Sequence, residues 1–232
     1  MDPIESIQPS KDSTLAMLLA AEARGWELIY LQQRDLLVRD GIAFGNGRRL
    51  TVTDDKERWF EIGDAWRDEL AALDVVFMRK DPPFDMEYIY TTYILQLAEE
   101  RGTLVVNSPA SLRDINEKAY TAWFSHCTPP SIITRDFDAV RAFVAEHGTV
   151  VLKPLDGMGG RSIFVIAPGD PNLNVVMETL TDYGSRYALV QRYVPEITAG
   201  DKRILLIDGE PIAHALARIP GPDDPRGNLV MG

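Results

Sequence analysis

The hydrophobic pattern along the first half of the chain alternates between a helical and an extended period. Residues 15–25 (LAMLLAAEARG) follow Asp12 and Ser13, either of which can cap a helix N-terminus, and Gly25 suits a left-handed cap at its end. Residues 26–31 (WELIYL) read as a strand. Between positions 34 and 52 the turn formers Asp40-Gly41 and Gly45-Asn46-Gly47 separate short apolar pieces, which predicts a hairpin excursion. Residues 54–72 show no assignable period, although they hold Trp59, Phe60 and Trp66. The run at 73–78 (LDVVFM) is nearly continuous in apolar residues, as in a strand buried on both faces of a parallel sheet. Asp85 then caps a helix with apolar residues at Ile89, Tyr90, Tyr93, Ile94 and Leu97, residues 103–107 form the next strand, and Ser108-Pro109 opens another helix with proline at its first position. This alternation predicts an N-terminal α/β domain over residues 1–115 with a doubly wound parallel sheet.

From Asn116 the pattern changes in kind. A helix runs through Phe124, a strand covers 131–134, and a helix from Asp136 to His147 stops at Gly148. The later strands are separated by turns and by one helix near 173–183, and residues 203–207 and 211–219 pair through an Asp208-Gly209 hairpin turn. Residues 116–232 therefore read as an α+β lobe with an antiparallel sheet, with a small central lobe at about 125–195.

Within that lobe the stretch 150–161 (VVLKPLDGMGGR) has the order strand, lysine, glycine loop, strand. Lys153 precedes a proline, so its backbone is biased to an extended form and its side chain leaves the end of a strand. Gly157, Gly159 and Gly160 carry no Cβ, so backbone N–H groups can converge on a polyphosphate. A plain glycine turn beside a solvated lysine accounts for these residues equally well. The loop closes with Gly160-Arg161-Ser162 into extended residues, which excludes a Walker A loop, and the dinucleotide spacing GxGxxG also fails. Lys118 lies on a separate element, and two such lysines can straddle nucleotide phosphates. Arg203 and Arg218 flank the hairpin turn and can fall near one end of a sheet, where they suit an acyl phosphate or a developing oxyanion. Arg79 and Asp81 follow the 73–78 strand, and open α/β sheets bind ligands outside the carboxyl ends of their strands.

Charge narrows the partners. The 232 residues carry 24 Lys and Arg against 35 Asp and Glu, a net charge of −11, which excludes binding a nucleic-acid backbone by bulk charge. The single cysteine, Cys127, allows no intrachain disulfide and fits a reducing compartment. The N-terminus lacks the features of a secretory signal, and no apolar run reaches the length of a membrane helix, so a cytoplasmic protein without membrane partners is expected. The isolated His126, His147 and His214 offer no zinc spacing, and no GxSxG nucleophile motif is present.

The chain resembles the bacterial glutathione synthetases of the ATP-grasp superfamily. The motifs that carry the resemblance run along its whole length: MDPI, KDS, LDVVFMRKDPPFD, TYIL, GTLVVNSPASLRDINEK, TAWFS, LKPLDGMGG, GDPN, GDKRILLIDGEP, LARIPG and RGNL. The resemblance implies a pre-ATP-grasp domain followed by an ATP-grasp lobe, and a ligase that joins γ-glutamylcysteine to glycine through an acyl phosphate with ATP and Mg²⁺, Mn²⁺ being a possible substitute. By matching motif, Lys118 and Lys153 contact ATP phosphates, Gly157, Met158, Gly159 and Gly160 form a mobile flap, and Gln191, Tyr193 and Val194 form the adenine hinge, with Asp201 on the ribose side. Arg203 and Arg218 hold the reacting carboxyl or phosphate, and Arg226 and Asn228 sit in a loop closing over the dipeptide. A homo-oligomer, a tetramer, is implied as well.

Family members usually carry a short apolar strand before MDP, and they continue past RGNL into a segment whose Asp, Glu and Asn bind magnesium. The resemblance thus places the metal ligands C-terminal to Gly232, with the last part of the ATP-grasp fold, and implies a fragment that turns over very slowly or not at all by itself. Two other functions compete: another ATP-grasp amino-acid ligase, such as a RimK-type glutamate ligase or a D-alanine–D-alanine ligase, and a non-catalytic ATP-binding module.

Overall fold

In a computed structural model that describes residues 1–80 and 83–219, the chain divides into two compact units, Met1–Ile115 and Asn116–Gly232. The first unit opens with helix α1 (Ser13–Glu22), whose first turn is capped by Asp12: its carboxylate accepts from the Leu15 N–H at 2.9 Å. Strands β1 (Leu28–Tyr30), β2 (Leu36–Arg39), β3 (Ile42–Val52) and β4 (Phe60–Glu69) form an antiparallel sheet. The long β3 is its axis. One edge of β3 pairs with β1 (Leu28 opposite Leu50) and then with β2 (Leu36 opposite Gly45), while β4 lines the other edge.

Burial along β3 shows why this strand was hard to read. Ala43, Gly45 and Gly47 are buried, and then the phase slips to Leu50 and Val52. The slip coincides with an irregularity in the β3–β4 register between Arg48 and Leu50, so a bulge resets which side chains face inward. Gly45-Asn46-Gly47 therefore lies inside a strand and makes no turn. A Cβ on Gly47 would stand 2.7 Å from the Tyr30 carbonyl oxygen, and one on Gly45 would stand 3.0 Å from Leu31, Trp66 and Leu70 side chains. These glycines serve close approach. The true turn is Asp40-Gly41, where φ is 53° and 77°.

The rest of the unit is a βαβ crossover: β5 (Val75–Phe77), α2 (Met86–Glu99) and β6 (Leu104–Val106), followed by α3 (Pro109–Asp114) with proline at its start. β5 and β6 pair in parallel, and among the described residues this is the extent of parallel pairing. The mixed α/β class holds. The doubly wound layer expected over residues 1–115 is reduced because β1 pairs antiparallel with β3. The apolar face expected on α2 is also rotated: Tyr88, Thr91, Thr92, Leu95 and Ala98 are buried, while Tyr90 and Tyr93 stand half exposed. Two threonines can face inward because Thr91 and Thr92 donate their hydroxyls to the Glu87 and Ile89 carbonyls at 2.9 and 2.7 Å.

The second unit begins with a 3-10 segment, Ala119–Cys127, in place of the α-helix expected through Phe124, whose own φ and ψ of −122° and 45° are not helical. It continues with β7 (Ser131–Thr134), α4 (Phe137–His147), β8 (Val150–Pro154), β9 (Phe164–Ile166), α5 (Leu173–Thr181) and β10 (Ala188–Arg192). α5 stops short of 183 because Asp182 and Tyr183 take left-handed conformations. The four strands lie in the order β7-β10-β8-β9, with every neighbour antiparallel. Val150, Leu152, Ala188 and Val190 are fully buried and pack with Val140 and Val144 of α4 and Val176, Met177 and Leu180 of α5. The helices thus cover one face of the sheet. A separate hairpin follows: β11 (Asp201–Ile207) and β12 (Glu210–Arg218), joined at Asp208-Gly209, with Ile204, Leu205, Leu206 and Ile207 exposed.

Gly47→Ala is expected to cost about 1–3 kcal/mol, since the neighbours at Gly47 are backbone and packed side chain. Gly63→Ala is the control, because its Cβ would meet only Arg49 at ordinary contact, and a change below about 0.5 kcal/mol is expected. Urea unfolding of both variants measures the difference; equal losses would mean that close approach at Gly47 is not what limits the position.

Candidate functional site

Alternation on β8 decides where Lys153 points. Val150 and Leu152 are buried against the helices, so Val151 and Lys153 belong to the opposite face. β8 and β10 are paired with Lys153 opposite Leu189 and Val151 opposite Gln191, which puts Gln191 diagonal to Lys153 on that face. The Lys153 ammonium donates to Gln191 Oε1 at 3.0 Å. Among the described residues no carboxylate pairs with it. Burial, and then the nearby charge of Lys118, hold the Lys153 ammonium below the usual lysine range.

Lys118 arrives from the start of the 3-10 segment. Its ammonium donates to the Gly157 carbonyl of the glycine loop and to Glu117 Oε1, the latter at 2.7 Å. The loop itself turns through Gly159 and Gly160 at φ of 70° and 75°, and Ser162 is left-handed too, at 54°. Gly157 packs so tightly on Pro154 that a Cβ would stand 2.5 Å from its ring. Met158 between these glycines is exposed.

One predicted set therefore comes together: Lys118, Lys153, the loop Gly157 to Gly160, and Gln191. Gln191 does so through its side chain, which holds Lys153. Tyr193 and Val194 follow directly after β10; the Tyr193 N–H donates to the Thr149 carbonyl at 2.9 Å, and the Val194 carbonyl accepts from Ile197 at 3.2 Å. A second set sits on the hairpin. Arg218 grips the Asp201 carboxylate with two hydrogen bonds, Nε to Oδ1 at 2.7 Å and a terminal nitrogen to Oδ2. Those bonds hold Arg218 above its ordinary range, and the carboxylate expected on the ribose side is bound to an arginine. Arg203 faces Leu216 across the hairpin, two residues along from the Asp201–Arg218 pair and on the same side.

In the first unit, Arg79 donates to the Thr14 and Ser13 hydroxyls at 3.1 and 3.0 Å. It lines a cavity of about 500 Å³ walled by apolar residues of β1 and β5, including Leu28, Ile29, Val75 and Val76. Neither Lys118 nor Lys153 lines that cavity. Asp81, Arg226 and Asn228 lie outside the described residues. Sequence reasoning passed over Asn116, whose side chain touches both the Lys118 segment and the root of the glycine loop. An asparagine two residues before the lysine, at the start of a helical turn, was the available signal.

The arrangement fits a polyphosphate. Two ammonium groups that repel each other, one of them without a carboxylate partner among the described residues, stand beside a loop of left-handed glycines. It offers less to a metal: among the described residues no group of three His, Cys, Asp or Glu side chains can hold an ion. Nor, among those residues, is any helix long and apolar enough to cross a membrane.

Comparison with known proteins gives these residues a setting. The profile of the prokaryotic glutathione synthetase N-terminal domain matches residues 1–113, and that of the ATP-grasp domain of the same enzymes matches 117–232. The chain belongs to the prokaryotic glutathione synthetase family. Glutathione synthetases of Shewanella oneidensis and Pseudomonas aeruginosa are 57% and 56% identical to it over all 232 residues, which cover 74% and 73% of their lengths. That of Vibrio vulnificus is 54% identical over the same span. Among solved structures, the ATP-grasp ligase PsnB with precursor peptide and AMPPNP aligns with a TM-score of 0.54 and 21% identity, over 90% of this chain and 70% of that one. A RimK domain ATP-grasp protein from Sphaerobacter thermophilus aligns with a TM-score of 0.54 and 20% identity, over 84% and 66%. These two share the ATP-grasp fold with the family.

If Lys118 depresses the Lys153 ammonium through space, Lys118→Met moves the Lys153 titration upward. Side-chain NMR of lysines, or the pH dependence of reductive methylation at Lys153, reads the shift. An unchanged or lowered titration would show that the two charges do not share one site.

Proposed function

We propose that the protein joins γ-glutamylcysteine to glycine at the expense of ATP, releasing ADP and phosphate. The observation that carries this reading is the convergence of Lys118 and Lys153 on one glycine loop, in a chain 53–57% identical over its full length to glutathione synthetases. In the reaction a cysteinyl carboxylate oxygen attacks the γ-phosphorus and ADP departs. The glycine amine then attacks the acyl carbon, the C–N bond forms, phosphate leaves, and the amine gives up a proton.

Each group of residues has a part in that sequence. Lys118 and Lys153 hold the phosphates and offset their charge, each ammonium exchanging its protein acceptor for a phosphate oxygen. The loop Gly157 to Gly160 closes over them with its backbone N–H groups. Residues Gln191 to Val194 border the base. Arg203, which has no ion pair among the described residues, and Arg218, oriented by Asp201, hold the carboxylate and the oxyanion that develops from it. By the family motifs, Arg79, Asp81, Arg226 and Asn228 are assigned to the dipeptide substrate. ATP-grasp ligases use divalent metal ions with ATP, and Mg²⁺, with Mn²⁺ as substitute, supplies charge neutralisation between the phosphates. Among the described residues no cluster of His, Cys, Asp or Glu could hold the ion. A cytoplasmic homo-oligomer, a tetramer, completes the reading.

Phosphate release from ATP is expected to require γ-glutamylcysteine and glycine together. Lys153→Met should weaken ATP binding, and Arg218→Ala should lower turnover by about 10²–10³ with the nucleotide still bound. Release that depends on a different acceptor pair would assign the protein to another ATP-grasp ligase. ATP binding without any substrate-dependent release, even in the complete gene product, would make it a binding module.

A further inference from the structure

Lys118 and the glycine loop come from segments far apart in sequence, and something must fix their spacing. The Lys118–Gly157 contact cannot do so in the loaded site, because the ammonium that makes it is the one proposed to turn to phosphate. Asn116 makes a different kind of link. Its Oδ1 accepts from the N–H groups of Lys118 and Ala119 at 3.0 and 2.9 Å, capping the turn that carries Lys118. Its Nδ2 donates to the Leu155 carbonyl at 3.2 Å, at the root of the loop and two residues beyond Lys153. A carboxamide supplies both an acceptor for the one segment and a donor for the other.

We propose that Asn116 is a positioning residue for the nucleotide site: its side chain ties the Lys118 turn to the root of the glycine loop, and so holds the two phosphate lysines at a fixed spacing. The proposal rests on the reading of Lys118 and Lys153 as phosphate ligands. None of the three hydrogen bonds involves an ammonium group, so the tie can persist while both lysines change partners.

Two substitutions separate the tie from the cap. Asn116→Ser keeps a neutral acceptor for the Lys118 turn but is too short for Leu155. Asn116→Asp keeps the acceptor and sets a carboxylate oxygen against the Leu155 carbonyl. Trypsin reports on the loop without nucleotide, because the Lys153-Pro154 bond resists it and Arg161 closes the loop. Both variants are expected to be cut at Arg161 about three- to tenfold faster than the parent chain, and to bind ADP about fivefold more weakly. Their unfolding midpoints should stay within about 2–3 °C of the parent. Cleavage and affinity unchanged in both variants would overturn the proposal, as would faster cleavage with unchanged affinity, which makes Asn116 a loop anchor and nothing more. If one variant fails to fold, the other carries the test. If the parent chain itself binds neither ADP nor ATP, the nucleotide reading falls and the proposal with it, whereas normal binding with unaltered cleavage removes the proposal alone.

Discussion

Two ammonium groups facing one site set the terms for the second unit. Bringing Lys153 out of water costs free energy, and the charge of Lys118 nearby adds to that cost. Among the described residues Lys153 meets the neutral amide of Gln191 and no carboxylate, while Lys118 divides its bonds between an exposed glutamate and a loop carbonyl. An anion with several oxygens removes both costs at once. On the proposed reading, the folded scaffold favours polyphosphate before any is bound, which is the sense in which such a site is preorganised.

What supports that expense is the other face of the same sheet. Val150, Leu152, Ala188 and Val190 are fully buried against α4 and α5, and strict alternation along β8 then leaves Lys153 no choice of side. The β8–β10 register does the rest, since it puts Gln191 within hydrogen-bond reach of Lys153. A slip of one residue would bury the lysine among valines and expose Leu152. Packing on one face and chemistry on the other are therefore one constraint, and the apolar face is the stronger guarantor of it.

Much of this was legible in the sequence, and the failures share a cause. The strand-lysine-loop order at 150–161 survived because alternation, the Lys-Pro pair and the glycines all act locally. Gly45 and Gly47 misled because their role depends on Tyr30, Leu31 and Leu70, which no local window contains. The α2 face was rotated by two threonines that bury once their hydroxyls bond to the helix's own carbonyls, a compensation invisible to a count of apolar residues. Residues 60–69 became a strand because β3 offered an edge, despite a sequence with no clear period. Asp201 and Gln191 show what the sequence does not reveal at the site: each is paired with a neighbouring cation, Arg218 and Lys153, by a strand register that no local window contains.

The overall charge sharpens what the local geometry must do. A chain at −11 repels a polyphosphate at long range, so bulk steering cannot deliver the nucleotide. At physiological ionic strength that repulsion is screened beyond about 8 Å, while groups in a partly buried site are screened far less. On the proposed reading the attraction comes from a few contacts at close quarters, those of the paired lysines and the loop N–H groups. Such a site depends on distance more than on total charge. Displacing one lysine by an ångström or two forfeits much of the gain while leaving the net charge untouched, so in an acidic protein the neutral side chains that set the spacing govern binding alongside the cations they position.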